Sequence, residues 1–91
     1  MESWDERRAQ GLVIKMGREI TGLTLHEFGK LAGVSGGTLS NIERGQVKPR
    51  RGTLKQIRSM LVDHYGITVI YDKTNRTIGV TKSYDPPNEW D

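Results

Sequence analysis

Ala9, Leu12, Val13, Met16 and Ile20 recur at steps of three and four, the stripe of a helix packed along one face. Ser3-Trp-Asp-Glu6 has the Ser-x-x-Glu spacing of a capping box and predicts the start of that helix, with Gly22 as its stop. Thr24-Leu-His-Glu27 repeats the spacing and opens a short second helix through Phe28, Leu31 and Ala32, ended by Gly33. Ser35 can cap a third helix carrying Leu39 and Ile42, and Gly45 ends it. A basic loop over residues 46–51 follows, then a fourth helix from about Gly52, with Leu54, Ile57, Met60 and Leu61 on one side and Gly66 as its end.

After Gly66 the period changes from 3.6 to 2. Ile67-Thr-Val-Ile-Tyr-Asp72 and Thr77-Ile-Gly-Val-Thr-Lys82 are rich in β-branched residues, and Lys73-Thr-Asn-Arg76 between them reads as a hairpin turn. A lone hairpin is marginal in water, so this one should pair with a second copy of itself or lie on the helices. Residues 84–91 have the composition of a flexible acidic tail.

Composition narrows the chemistry. At 91 residues the chain is expected to form one small domain with a modest core, and with no cysteine neither a disulfide nor a thiolate metal site can form. A cytoplasmic location fits that composition. Apolar runs such as residues 12–14 are far too short to span a membrane, and Glu2, Asp5 and Glu6 do not suit a signal peptide. The net charge of +3 is uneven: residues 1–66 hold eleven Lys/Arg against seven Asp/Glu, while residues 84–91 hold three acids and no base. A basic body suits a polyanionic partner, and the tail suits a different task. His26 and His64 lack carboxylates at ligand spacing, so neither a metal nor a cofactor is expected. No nucleophile with a usable base and no phosphate-cradling glycine loop points to an enzyme.

Two short helices meet in a turn at Gly33, with small Gly29 where they would touch and Val34, Leu39 and Ile42 filling the angle between them; this is a helix-turn-helix pattern. Gly22-Leu-Thr-Leu-His-Glu-Phe-Gly-Lys-Leu-Ala-Gly-Val-Ser35 and Thr38-Leu-Ser-Asn-Ile-Glu-Arg-Gly45 resemble the Cro/C1-type (XRE) family of lambdoid repressors, over roughly residues 12–62. The resemblance implies a mainly α fold: a four- or five-helix lambda-repressor-like helix-turn-helix domain over residues 1–66. A β-hairpin or strand for dimerisation would follow over residues 67–83, then a flexible tail over residues 84–91. In such proteins the start of the third helix, here Ser35, Gly36 and Gly37, enters the major groove. The two glycines offer no side chain, so base reading would shift to Thr38, Ser40, Asn41 and Arg44; the alternative is a solvated turn that merely weakens the helix. Lys48, Arg50 and Arg51 in the loop, with Thr24 and His26 at the start of helix two, are the expected phosphate contacts, a solvated basic loop being the bland alternative.

The same resemblance implies a partly buried, structural ion pair between Arg18 and Glu43. Two positions depart from the family pattern: Gly17 stands where a large apolar residue is usual, and Leu25 where a phosphate-binding glutamine often sits. A third departure is the strand after Gly66 in place of a fifth helix. Together with Thr38-Leu-Ser-Asn41 and Asn88-Glu-Trp90, it is similar to the HipB-like antitoxins. That similarity implies a homodimeric repressor of its own operon, binding a palindromic double-stranded operator and a kinase-fold toxin, with no membrane partner. The expected dimer contacts are Ile67, Val69, Tyr71, Ile78 and Val80, and Trp90 is the candidate anchor for the toxin, flanked by Asp85, Glu89 and Asp91. The alternatives are a phage or plasmid Cro/C1-type regulator without a toxin, and a protein-interaction module that keeps the fold without binding DNA.

Overall fold

Helix α1 (Glu6–Thr21) starts where a carboxylate can cap it: Asp5 Oδ1 accepts the N–H groups of Arg7 at 3.1 Å and Arg8 at 3.2 Å. Asp5 therefore takes the place that the Ser-x-x-Glu spacing predicts for Ser3, which lies outside the described residues. The computed structural model describes residues 4–84. Among them, α1 is followed by α2 (Leu25–Ala32), α3 (Gly36–Glu43), α4 (Arg51–Tyr65), β1 (Ile67–Asp72) and β2 (Thr77–Lys82). The strands form a two-stranded antiparallel sheet in which Ile67 faces Lys82, Val69 faces Val80 and Tyr71 faces Ile78. None of the described helices is long and apolar enough to cross a membrane.

The core gathers Val13 and Ile14 of α1, Phe28 and Ala32 of α2, Leu39 and Ile42 of α3, Ile57, Met60 and Leu61 of α4, and Ile67 and Val69 of β1. The buried face of α1 is rotated from the one its apolar stripe predicts. Leu12 is 49% and Ile20 45% exposed, whereas Gln10, Gly11, Ile14 and Gly17 are buried. Leu31, expected in the core, is also exposed. The reason is close approach by neighbours: a Cβ at Gly11 would overlap the backbone carbonyls of Ile42 and Glu43, so α3 crosses α1 at that glycine. Helix α4 starts one residue before the expected Gly52, on Arg51.

The hairpin lies on the helices of its own chain. Ile67 and Val69 are buried, and Tyr71, the two β2 residues Ile78 and Val80, and Lys82 are partly buried on the same side. Trp4 stacks on Tyr71 with centroids 5.6 Å apart, clasping the chain before α1 to β1. Gly66 turns the chain from α4 into β1 at φ 63°, a left-handed value that suits glycine, and its carbonyl accepts Ser83 N–H at 2.8 Å.

Gly17 explains why a hairpin can sit here. A Cβ at this position would lie 3.1 Å from Leu61 Cδ1 and 3.3 Å from Val69 Cγ1, so α4 and β1 occupy the room that a large side chain on α1 would take. Gly17→Leu should therefore destabilise the protein by about 1–3 kcal/mol through overpacking, despite leucine's better helix propensity. Amide exchange should show early loss of protection in the hairpin; a variant with unchanged melting temperature and protection would show that β1 does not depend on this contact.

Candidate nucleic-acid interface

Helix α2 is set by its cap. Thr24 Oγ1 accepts Glu27 N–H at 3.1 Å, and Glu27 Oε1 accepts Thr24 N–H at 3.0 Å. These bonds hold the Glu27 carboxyl below its usual pKa, the backbone bond to Thr24 being the main cause. A lowered folded value means the cap contributes fully above the ordinary pKa of 4.5 and is lost as pH falls through the lower one. Thr24 and His26 are exposed at this helix start. Gly33 then closes α2 at φ 74°, and Gly29 receives the chain so tightly that a Cβ would overlap the Val34 carbonyl.

Ser35 caps α3: its Oγ accepts Thr38 N–H at 3.1 Å and donates to Thr38 Oγ1 at 2.8 Å. With Leu39 and Ile42 buried, Gly37, Ser40, Asn41 and Arg44 share the opposite face at helical spacing, with Thr38 exposed on one flank. Arg44 Nη2 donates to Asn41 Oδ1 at 2.9 Å, a bond that does not use the Asn41 amide N–H₂. The two glycines differ. A Cβ at Gly36 would make ordinary contact, 3.8 Å, with the His26 backbone, whereas one at Gly37 would meet nothing within 4 Å. Neither has a positive φ. The fold thus gives no reason for glycine at 37.

The orientation of α3 depends on Arg18. Its Nε donates to Glu43 Oε2 at 2.7 Å, Nη2 to Glu43 Oε1 at 3.0 Å, and Nη1 to the Leu23 carbonyl at 3.0 Å. The side chains are 15% and 6% exposed. The hydrogen bond to Glu43 raises the Arg18 pKa above its ordinary value, outweighing burial. One guanidinium therefore ties α1, the loop before α2 and the C-terminal end of α3. After α3, Lys48, Arg50 and Arg51 are exposed around buried Pro49. Arg50 occupies the N-cap of α4, where its guanidinium, which has only donors, makes no side-chain cap bond.

These elements form two helices joined by a turn at Gly33, the second lying across α1 with a polar face outward. The helix-turn-helix domain family matches residues 8–68. The chain belongs to that family, in its Cro/C1 type. Comparison with curated proteins and with solved structures gave no match.

Within the helix-turn-helix domain, the sequence-derived positions Thr24, His26, Ser35, Gly36, Gly37, Thr38, Ser40, Asn41 and Arg44 lie on the start of α2 and along α3, with Lys48 and Arg50 in the adjoining loop and Arg51 as the first residue of α4. The five expected dimer contacts share one side of the hairpin. Ile67, Val69, Tyr71, Ile78 and Val80 all face this chain's own helices, leaving Thr68, Ile70, Gly79 and Thr81 outward. Alternation identifies an apolar face but not whether the chain's own helices or a second copy covers it. Trp90 lies outside the described residues. A basic extension was missed in the sequence: Arg51, Lys55 and Arg58 line an open groove on α4 with Leu54 and Ser59. Their i, i+4, i+7 spacing was the available signal.

Because Glu43 is nearly buried, Glu43→Ala should cost about 3 kcal/mol by leaving the Arg18 charge without its partner. Urea unfolding measures it, and a loss under about 1 kcal/mol would mean that the pair behaves like an exposed one.

Proposed function

We propose that the protein is a sequence-specific, double-stranded-DNA-binding transcriptional repressor acting as a homodimer. The observation that carries this reading is the outward face of α3. It is polar and open to solvent only in part, led by a glycine the fold does not require, and flanked by the exposed cations Lys48, Arg50 and Arg51. A bare helix start can approach the floor of the major groove, with backbone or a thymine methyl against it, while Thr38, Ser40, Asn41 and Arg44 reach base edges. Phosphates on either side suit the loop and the amides at the start of α2.

A dimer fits a twofold, palindromic operator. The outward hairpin face, with Ile70 41% exposed, is the surface we assign to it. Among the described residues, each strand also has an outer edge without a strand beside it. The finer reading is an antitoxin that represses its own operon and binds a kinase-fold toxin encoded beside it. The strand that follows Gly66 in place of a fifth helix favours it over a regulator without a toxin. Co-purification with the product of an adjacent kinase-like reading frame tests that reading.

On DNA upstream of its own gene, the protein should bind with a steep negative salt dependence. Asn41→Ala should cost about 1–3 kcal/mol on the operator and much less on random duplex; equal losses would remove Asn41 from base readout. Gly37→Gln should abolish operator binding by collision while keeping or raising the melting temperature, and retained affinity would place Gly37 away from DNA. Ile70→Glu should leave the fold intact and weaken dimerisation at least tenfold in sedimentation experiments. A dimer as tight as wild type would move the interface off the hairpin.

A further inference from the structure

The β1–β2 turn, residues 73–76, lies beyond the segment matched to the family, yet the fold brings it near the loop that carries Lys48. Glu6 shows where it sits. One oxygen of its carboxylate is 3.4 Å from Lys48 Nζ and the other 3.9 Å from Lys73 Nζ. A single carboxylate thus spans the α3–α4 loop and the hairpin tip, two segments 25 positions apart in sequence. Both lysines are well exposed, 57% and 68%, so these pairs are weak and open to exchange with another anion.

The turn is held in shape from within. Asp72 Oδ1 accepts Asn75 N–H at 3.1 Å, Asp72 Oδ2 accepts Asn75 Nδ2–H at 2.8 Å, and Thr77 Oγ1 donates to the Asn75 carbonyl at 3.0 Å. The Asp72 carboxylate is occupied by these bonds, which hold its pKa below the usual range. Arg76 then adopts φ 51°, the one non-glycine residue with positive φ among those described. Glycine or asparagine would fit that backbone with less strain, so an exposed arginine here is unfavourable for the fold taken alone. A strained residue held by an ordered turn points to a use for its side chain.

We propose that this turn is an additional phosphate-contacting element of the DNA interface, Lys73 and Arg76 binding the sugar-phosphate backbone beyond the stretch reached by Lys48. The inference rests on the DNA-binding reading above. The incoming phosphate takes the place of the Glu6 carboxylate between the two lysines, and Arg76, three residues after Lys73 in the same turn, offers a bidentate fork to a neighbouring phosphate. The turn carries no base-reading geometry, so its contribution is independent of sequence and adds to the footprint and the salt dependence, not to the choice of operator.

The test uses the full chain and a random-sequence duplex of about 30 base pairs, with affinity measured across a salt series. Each phosphate contact accounts for about 0.9 in the slope of log K against log salt. Lys73→Gln and Arg76→Gly should each flatten the slope by about 1, and the double variant by about 2, with Arg76→Gly melting at the same or a higher temperature because the backbone strain is relieved. Arg50→Ala serves as the control within the helix-turn-helix domain. If wild type binds and Arg50→Ala flattens the slope, but Lys73→Gln and Arg76→Gly leave it unchanged, the turn is not a contact and this inference falls alone. If wild type shows no salt-dependent binding to any duplex, including DNA upstream of its own gene, the DNA-binding reading falls with it.

Discussion

The guanidinium of Arg18 is the point on which the arrangement of the helices depends. An eight-residue helix such as α3 is marginal by itself, and its first turn holds two glycines, so its position must come from tertiary contacts. Leu39 and Ile42 supply the apolar part, but apolar contact alone tolerates rotation and sliding. Arg18 does not. Its three donors bind both oxygens of Glu43 and the carbonyl of Leu23, which fixes the C-terminal end of α3 against α1 and the loop leading to α2. Desolvation offsets much of the attraction in such a pair, so its value lies more in fixing orientation than in raw stability.

Small residues let that arrangement close. Gly11 admits the carbonyls of Ile42 and Glu43, Gly29 admits that of Val34, and Gly45 lies against Arg8. Each is placed where backbone meets backbone, so a methyl group would force elements apart. Gly36 belongs to a milder version of the same class, facing the start of α2. Gly37 belongs to none of these, which separates the two adjacent glycines into one that the fold can use and one that it does not require.

The hairpin is part of the domain's core as well as an appendage to it. Ile67 and Val69 fill space between α1 and α4, and Gly17 leaves the room for them, so the missing large residue on α1 and the strand after α4 are two sides of one packing solution. A small domain gains from this, since a hairpin without helices beneath it would be marginal and the helices would lose part of their apolar cover. The same packing carries the hairpin tip to the start of α1, where Glu6 meets both Lys48 and Lys73.

Local chemistry was legible in the sequence because it acts over a few residues. The Thr24–Glu27 capping box, the Ser35 cap, the stops at Gly22, Gly33 and Gly66, and the extents of both strands all follow from side chains that bond or restrict the backbone beside them. The helix-turn-helix spacing was legible for the same reason. What spacing could not convey is which partner covers a face. Leu12 and Ile20 have the right period yet lie outside, because α3 and β1 approach α1 over Gly11 and Gly17, residues that look like defects in a helix until a neighbour is present. The apolar side of the hairpin likewise awaited a surface, and only the tertiary structure supplied one, since burial is a property of two elements together while propensity and capping belong to one.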